Sequence, residues 1–308
     1  MSVQSRSFYS DSQMSRPSKP IVSLLPSATE IVCGLGLQEQ VVGISHECNW
    51  PPGIEGKPRV TLSNVDSSAS SMQIDGQVKT LLQAGQALYG VDAELLVSLE
   101  PEIIITQAQC DVCAVSYKSV LDIVANHGAL NSVQVIALNP TSLDEVLEDI
   151  RRIGAATQTT VASQGYVADL QQRINTVVAQ TQSHKRRPRT LVIEWTEPLM
   201  VAGNWTPQLV ELAGGEYGLA DAGQPSRYVT WDEIASFAPE VLFVAPCGFD
   251  LERAIAELQQ LATCSHWNSL PAVRSEHVYP VDGDAFFNRP GPRLVESLEM
   301  LASWLQTA

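Results

Sequence analysis

Seven short apolar runs, each followed by a polar loop and a helical stretch, constrain the fold of this chain more than any other feature. They are "IVSLL" (21–25), "VVGIS" (41–45), "EIIIT" (102–106), "VQVIAL" (133–138), "TLVIEW" (190–195), "EVLFVA" (240–245) and "HVYPVD" (277–282). A strand that is apolar at nearly every position is buried on both faces, the condition of a parallel sheet with helices on each side. The rhythm is that of an α/β protein. In the first unit, a strand from Ile21 to Leu25 leads through a Pro-Ser turn, with Ser27 or Thr29 as cap, into a helix stopped at Gly34 or Gly36. After the fourth run, Ser142 and Glu145 have the spacing of a capping box.

The rhythm breaks once. From about Thr159 to His184 there is no strand signal, while Val167, Leu170, Ile174, Val177 and Val178 recur at three-to-four spacing and "HKRRPR" closes the stretch. This predicts one helix ~35 to 40 Å long, about the width of a domain. The chain therefore divides into a polar leader (1–19), an N-terminal α/β lobe (20–156), a linker helix (157–187) and a C-terminal α/β lobe (188–308). The Ser-rich "SNVDSSASS" (63–71) reads as a flexible surface loop. "DAELLVSLEPEIIIT" (92–106) and "TWDEIASFAPEVLFV" (230–244) align without gaps on Pro101 and Pro239, as helix, Pro-Glu turn and buried strand in each half. The match places Glu94 and Asp232 at equivalent points, as a paired docking surface or as ordinary acids in a first helical turn.

With 19 Lys and Arg against 34 Asp and Glu, the net charge is −15. Nucleic acid and anionic lipid are poor partners for such a surface. No stretch has the ~20 apolar residues of a membrane span, and membrane insertion is not expected. The leader lacks the apolar core of a signal peptide, so a cytoplasmic location with reduced thiols is expected. An export signal ahead of the present start would make the protein periplasmic instead.

In an open α/β sheet, ligands bind outside the carboxyl ends of the strands. The loops there are Pro26 to Thr29, His46 to Trp50 and Gln107 to Ser116 in the first half. In the second they are Trp195 to Trp205, Pro246 to Asp250 and Asp282 to Arg293. These loops hold four of the six cysteines and three of the six tryptophans. Cys110 and Cys113 form a C-x-x-C, and with Cys48 and Cys247 they make a candidate four-thiolate set for zinc or an iron–sulfur cluster, in which His46 replaces one ligand. The competing reading has thiols that only line a cleft. Asp111 between the two thiols opposes a redox couple. Trp50, Trp195 and Trp205 suit stacking on a flat macrocycle, or plain packing, and Arg289 and Arg293 suit carboxylate, phosphate or amide groups. No nucleophile elbow, Walker loop or dinucleotide fingerprint occurs, so nothing in the sequence argues for an enzyme.

"IVSLLPSATEIVCGLGLQEQVVGISHECNWPP", "EIIITQAQCDVCAVS", "PLMVAGNWTPQLVELAGG", "PEVLFVAPCGFDLE" and "NRPGPRLVESLEML" resemble the periplasmic-binding-protein family of cobalamin and iron–siderophore receptors, the helical-backbone metal receptors. They are most similar to its vitamin B12-binding branch. The resemblance covers nearly the whole chain from about residue 20. It implies two Rossmann-like α/β lobes joined by a single long helix, with a ligand cleft between the lobes and little hinge motion. It implies a solute-binding protein for a metal chelate, cobalamin or a related corrinoid, which feeds an ABC permease. The loops carrying Ser27, His46, Glu47, Trp50, Gln107, Trp195, Trp205, Phe287, Asn288 and Arg289 would line the cleft. Glu94 and Asp232, or the adjacent Glu233, would dock on permease arginines. The alternative is a cytosolic Cys-ligated metal or iron–sulfur protein on the same scaffold. It rests on the "HEC", "CDVC" and "PCG" cysteines, which depart from the family's pattern.

Overall fold

The computed structural model describes residues 19–108, 115–183 and 186–307. The first half contains β1 (Ile21–Ser23), α1 (Pro26–Gly34), β2 (Val41–Ile44), β3 (Thr61–Ser63), α2 (Ser71–Gln83) and β4 (Tyr89–Val91). It continues with α3 (Ala93–Ser98), β5 (Ile103–Gln107), α4 (Tyr117–Asn126), β6 (Gln134–Leu138) and α5 (Leu143–Ala156). α6 (Thr160–Thr181) follows. The second half holds β7 (Arg189–Thr196), β8 (Leu199–Val201), α7 (Thr206–Leu212), β9 (Glu216–Tyr217), β10 (Arg227–Tyr228) and α8 (Trp231–Phe237). It ends with β11 (Val241–Val244), α9 (Leu251–Leu261), α10 (Pro271–Arg274), β12 (Val278–Pro280) and α11 (Leu294–Leu305).

The first sheet has the order β2-β1-β5-β6, all parallel. In the second, β9, β11 and β12 run parallel to β7 in the order β9-β7-β11-β12, while β8 pairs antiparallel with β7 and β10 antiparallel with β8. The same four-strand pattern is thus built twice. The aligned segments coincide with equivalent pieces of it, α3 into β5 and α8 into β11. The correspondence extends to the backbone, since Glu100 and Ala238, the residues before the two aligned prolines, both have left-handed φ, 46° and 52°. That conformation is costly outside glycine, by about 1 to 2 kcal/mol. Its recurrence at one aligned position marks a duplicated turn.

Alternation along the strands sorts side chains into separate cores. Ile21, Ile103 and Ile105 face one core and Val22 and Ile104 another, as do Val192 and Phe243 against Leu191, Ile193 and Leu242 in the second sheet. One core belongs to both lobes, because α1, α5, α6, α7 and α11 enclose inward residues from both sheets in a single apolar cluster. At the centre is α6, whose Val167, Leu170, Ile174 and Val177 are buried on one face. Its 22 residues span about 33 Å, slightly less than the periodicity predicted. Gly154 of α5 lets the two helices touch, since a Cβ there would lie 2.2 Å from Ser163 Oγ. Arg173 ties α6 to α11 through a bidentate pair with Glu299, at 2.8 and 2.6 Å.

Several local expectations are corrected. Neither Ser27 nor Thr29 caps α1, which begins at Pro26 without a side-chain cap; both are buried inside the helix. Ser142 does accept from the Glu145 amide, but Glu145 reaches back to Thr141 rather than closing the box on Ser142. The Ser-rich segment is not a loose loop. Ser70 and Gln73 form a complete capping box for α2, and residues 67 to 71 are held by the opposite lobe.

Candidate functional site

The carboxyl ends of both sheets point to the gap between the lobes, and loops from each side meet there. Arg289 is the centre of the contact. It is buried, and its guanidinium donates to Asn49 Oδ1 at 2.8 Å, to Asp284 Oδ1 at 2.6 Å and to the Glu47 carbonyl at 3.3 Å. Glu30 Oε1 lies 3.6 Å from it. Asn49 in turn donates to Asp284 Oδ2 at 2.9 Å. The loop after β2 and helix α1 of one lobe are therefore bonded to the loop after β12 of the other. Arg293 extends the junction, its guanidinium 4.7 Å from the centre of Trp50 and 4.3 Å from that of Phe286.

The loop geometry follows from small local constraints. Asp282 accepts from the Ala285 amide and starts a turn from Gly283 to Phe287. Asn288 donates to the Ala245 carbonyl at the end of β11, at 2.9 Å. Trp205 donates its indole N–H to the Phe287 carbonyl at 2.8 Å. Trp205 and Phe287 are both buried, so they hold this loop from behind rather than lining an open surface. Trp195 is half-buried, with its edge against Phe249 at 5.4 Å and its N–H on the Glu197 carbonyl.

On the other lobe, His46 is half-buried beside Tyr89, with ring centroids 5.4 Å apart. Its Nδ1 lies 2.6 Å from Thr61 Oγ1 and its carbonyl accepts from Arg59. Burial, and then the Arg59 charge, lower its pKa, so the imidazole is neutral at pH 7. Gln107 is half-buried at the end of β5. Ser27 is buried against Gly291 of the opposite loop.

Two of the four candidate thiolates, Cys48 and Cys247, are among the described residues, one on each lobe. Cys48 is fully buried in the core shared by the lobes, its Sγ 3.1 Å from Thr29 Oγ1, and burial pushes its thiol up to about 11. It is a packed thiol rather than one that reaches the gap. Cys247 is half-buried on the opposite lobe, its amide on the Glu194 carbonyl. Cys110 and Cys113 lie outside the described residues. Among the described residues no three His, Cys, Asp or Glu side chains are placed to hold one metal ion.

The acids of the repeat are on the surface. Glu94 lies in the first turn of α3, whose cap is Asp92. Asp232 occupies the matching turn of α8, 3.4 Å from His266 Nε2. Glu233 is committed to capping Thr230 and to Arg227. Among the described residues no helix is long and apolar enough to cross a membrane.

Sequence reasoning missed Glu30, Asn49 and Asp284. Burial raises the Glu30 carboxyl to about 7 against the lowering by Arg289 and Arg293. Glu47 moves the same way, but its side chain keeps 40% of its surface and solvent screens it, so Glu30 governs. A carboxyl whose pKa is raised on folding takes up a proton, so its contribution to stability falls as pH rises from about 4.5 to about 7 and is flat above. Glu30→Gln is expected to reduce that slope, read by denaturant unfolding at pH 5 and pH 8. An unchanged pH profile would show that Glu30 stays ionised in the fold.

The sequence profile of a family described as "Periplasmic binding protein" matches residues 21–285. A vitamin B12-binding protein of Vibrio parahaemolyticus is 21% identical over 292 residues, covering 94% of this chain and 90% of that protein. Among solved structures, a periplasmic vitamin B12 binding protein of Vibrio cholerae aligns with a TM-score of 0.68 at 22% identity, covering 94% and 98% of the two chains. A periplasmic heme-binding protein of a Roseiflexus species, in apo form, aligns at 0.71 and 22%, with the same coverage. At these identities the structural likeness establishes the two-lobed fold.

Proposed function

The chain belongs to the periplasmic binding protein family, and from that membership we propose that it is the substrate-binding component of an ABC transporter for a metal chelate, a corrinoid such as cobalamin. The observation that carries this reading is the meeting of strand-end loops from both lobes around Arg289. A ligand held there touches both lobes at once. Trp50 and Trp195 offer aromatic surface to a macrocycle, and Asn49, Asn288 and the neutral His46 suit its amide periphery. The names of the relatives favour a periplasmic location over the cytoplasmic one expected from the leader. In this reading the protein delivers its ligand and performs no chemistry on it. Exposed Glu94 and Asp232, with Glu233 beside the latter, form the docking pair for a permease, each in the first turn of one of the two equivalent helices α3 and α8. Cys48 then packs in the core behind the cleft and Cys247 lies half-buried on the opposite lobe, and zinc or an iron–sulfur cluster is not part of the mechanism.

Titration of the purified protein with cobinamide and hydroxocobalamin, followed by visible absorbance and calorimetry, tests the assignment. One equivalent binding with micromolar or tighter affinity is expected, with Trp195→Ala at least tenfold weaker. The same titration on Glu94→Lys/Asp232→Lys should be unchanged, while capture of that variant by permease in nanodiscs is lost. Absence of binding to either corrinoid removes the ligand assignment. Stoichiometric iron or zinc in the anaerobically purified protein, lost in Cys110→Ser, would favour the Cys-ligated alternative.

A further inference from the structure

Besides α6, the Arg289 junction and the Leu143 amide bonded to Gln208 of α7, the lobes touch where the Ser-rich segment and α2 reach across. These residues leave the N-terminal lobe from the antiparallel pair β3 and β4, so they are rooted at both ends in one lobe. Their far side rests on the other lobe. Arg253 donates to the Ser67 and Ala69 carbonyls at 2.7 and 2.8 Å. Ser71 donates to Glu257 Oε2 at 2.8 Å, and Thr196 hydroxyl meets both the same carboxylate and Ser71 Oγ. The Arg253 guanidinium also covers Phe249, 3.5 Å from its ring centre, and Phe249 is the partner of Trp195. The segment therefore crosses the gap directly beside the aromatic surface assigned to the ligand.

We propose that residues 64–86 are a lid over this end of the cleft, latched to the opposite lobe by Arg253 and Glu257 and opened to admit and release ligand. The lid is built to lift as a unit. Internal bonds, Asp66 amide to Gln77 at 2.8 Å and the Ser70 and Gln73 box, hold its shape whether or not it is docked. Of the thirteen residues of α2 only Ser71 is buried, so undocking exposes little apolar surface. The latch consists of hydroxyl, carbonyl, guanidinium and carboxylate groups, all of which water satisfies once the lid is up. Elements with few buried apolar contacts occupy the low-stability end of a fold and open first. Lifting also rehydrates Glu257, which is 5% exposed when the lid is down.

Hydrogen exchange of the full chain, with maleimide labelling of Cys247 read by peptide mass spectrometry, tests this. Cys247 sits two residues before Phe249, so its labelling reports access to the covered end without any added ligand. In Arg253→Ala and in Glu257→Gln, amides 66–83 are expected to exchange at least tenfold faster and Cys247 to label about fivefold faster. In the unsubstituted protein the same amides should exchange ahead of those of β5, which keeps the test available if a variant folds poorly. Exchange that is unaltered in both variants and no faster than β5 overturns the lid. Faster exchange with unaltered Cys247 labelling also overturns it, because the segment would then move without covering the cleft. The lid does not depend on which chelate binds, so a failed corrinoid titration would end the ligand assignment and leave this result standing.

Discussion

Arg289→Ala is expected to lower the melting temperature by on the order of 10 °C and to weaken the junction between the lobes. The side chain is 8% exposed and its guanidinium serves an amide oxygen, a carbonyl and a carboxylate, with Glu30 at ion-pair distance. Its removal leaves Asp284 without its cation and the 3% exposed Glu30 with only Arg293, 3.9 Å away, a loss of about 3 to 5 kcal/mol for a buried pair broken on one side. Lysine should not restore it, because a single ammonium cannot replace a planar fork bonded to several acceptors. Adding Glu30→Gln to Arg289→Ala should recover part of the loss, most of it at pH 8, since it removes a buried carboxyl that has lost the nearer of its two cations. Thermal and denaturant unfolding of the three variants measures all of this. A shift of less than about 2 °C in Arg289→Ala would mean that solvent already carries these charges and that the lobes are joined elsewhere.

Gly283→Ala is the second large expectation, at about 3 kcal/mol of destabilisation together with loss of corrinoid binding. A Cβ at this position would lie 2.3 Å from the Pro246 carbonyl oxygen and 2.9 Å from the Ala245 carbonyl carbon. Both are backbone at the end of β11 and have no rotamer by which to yield. The turn beginning at Gly283 must therefore move outward, and the Asn288 bond to Ala245 and the placement of Asp284 and Arg289 move with it. Gly165→Ala on the open face of α6, where no atom lies within 4 Å of the added carbon, is the control. It should gain about 0.5 to 1 kcal/mol from helix propensity. Equal effects at the two glycines would show that the clash at Gly283 is relieved at no cost.

Those two residues also show how far the sequence could be read. Arg289 stands out in a loop after an apolar run, in a stretch shared with a known family, and its place at the lobe junction was legible. Its dependence on Glu30 was not, because a single acid in "SATEIVCG" reads as the solvent side of a helix; the sign of burial was the apolar residue on almost every other side of it. Glu257 is hidden in the same way within "AELQQL". The parallel strands were legible because apolar runs buried on both faces have no other common explanation. β3, β4, β9 and β10 were not, being two or three residues long and partly polar. The Ser-rich segment was misread for a related reason: its composition suits a free loop, while its order comes from Arg253 and Glu257 nearly two hundred positions later. Cys48 follows β2 by four residues, as a cleft residue should, and the turn there sends its side chain inward onto Thr29. Position in a loop fixed its neighbourhood but not its direction.

The apolar cluster common to both lobes bears on the ancestry of the chain. Two copies of one four-strand pattern suggest that a shorter ancestor was doubled, yet each present half keeps only one face of its sheet as a core of its own and shares the other face's core with its neighbour. Cut through α6, each would expose the surface that now packs against the other, and an open apolar face of that size invites aggregation rather than folding. Whatever independence the ancestral unit had has been exchanged for a seam, and substitutions along α6 must since have been accepted or rejected for their effect on both descendants together.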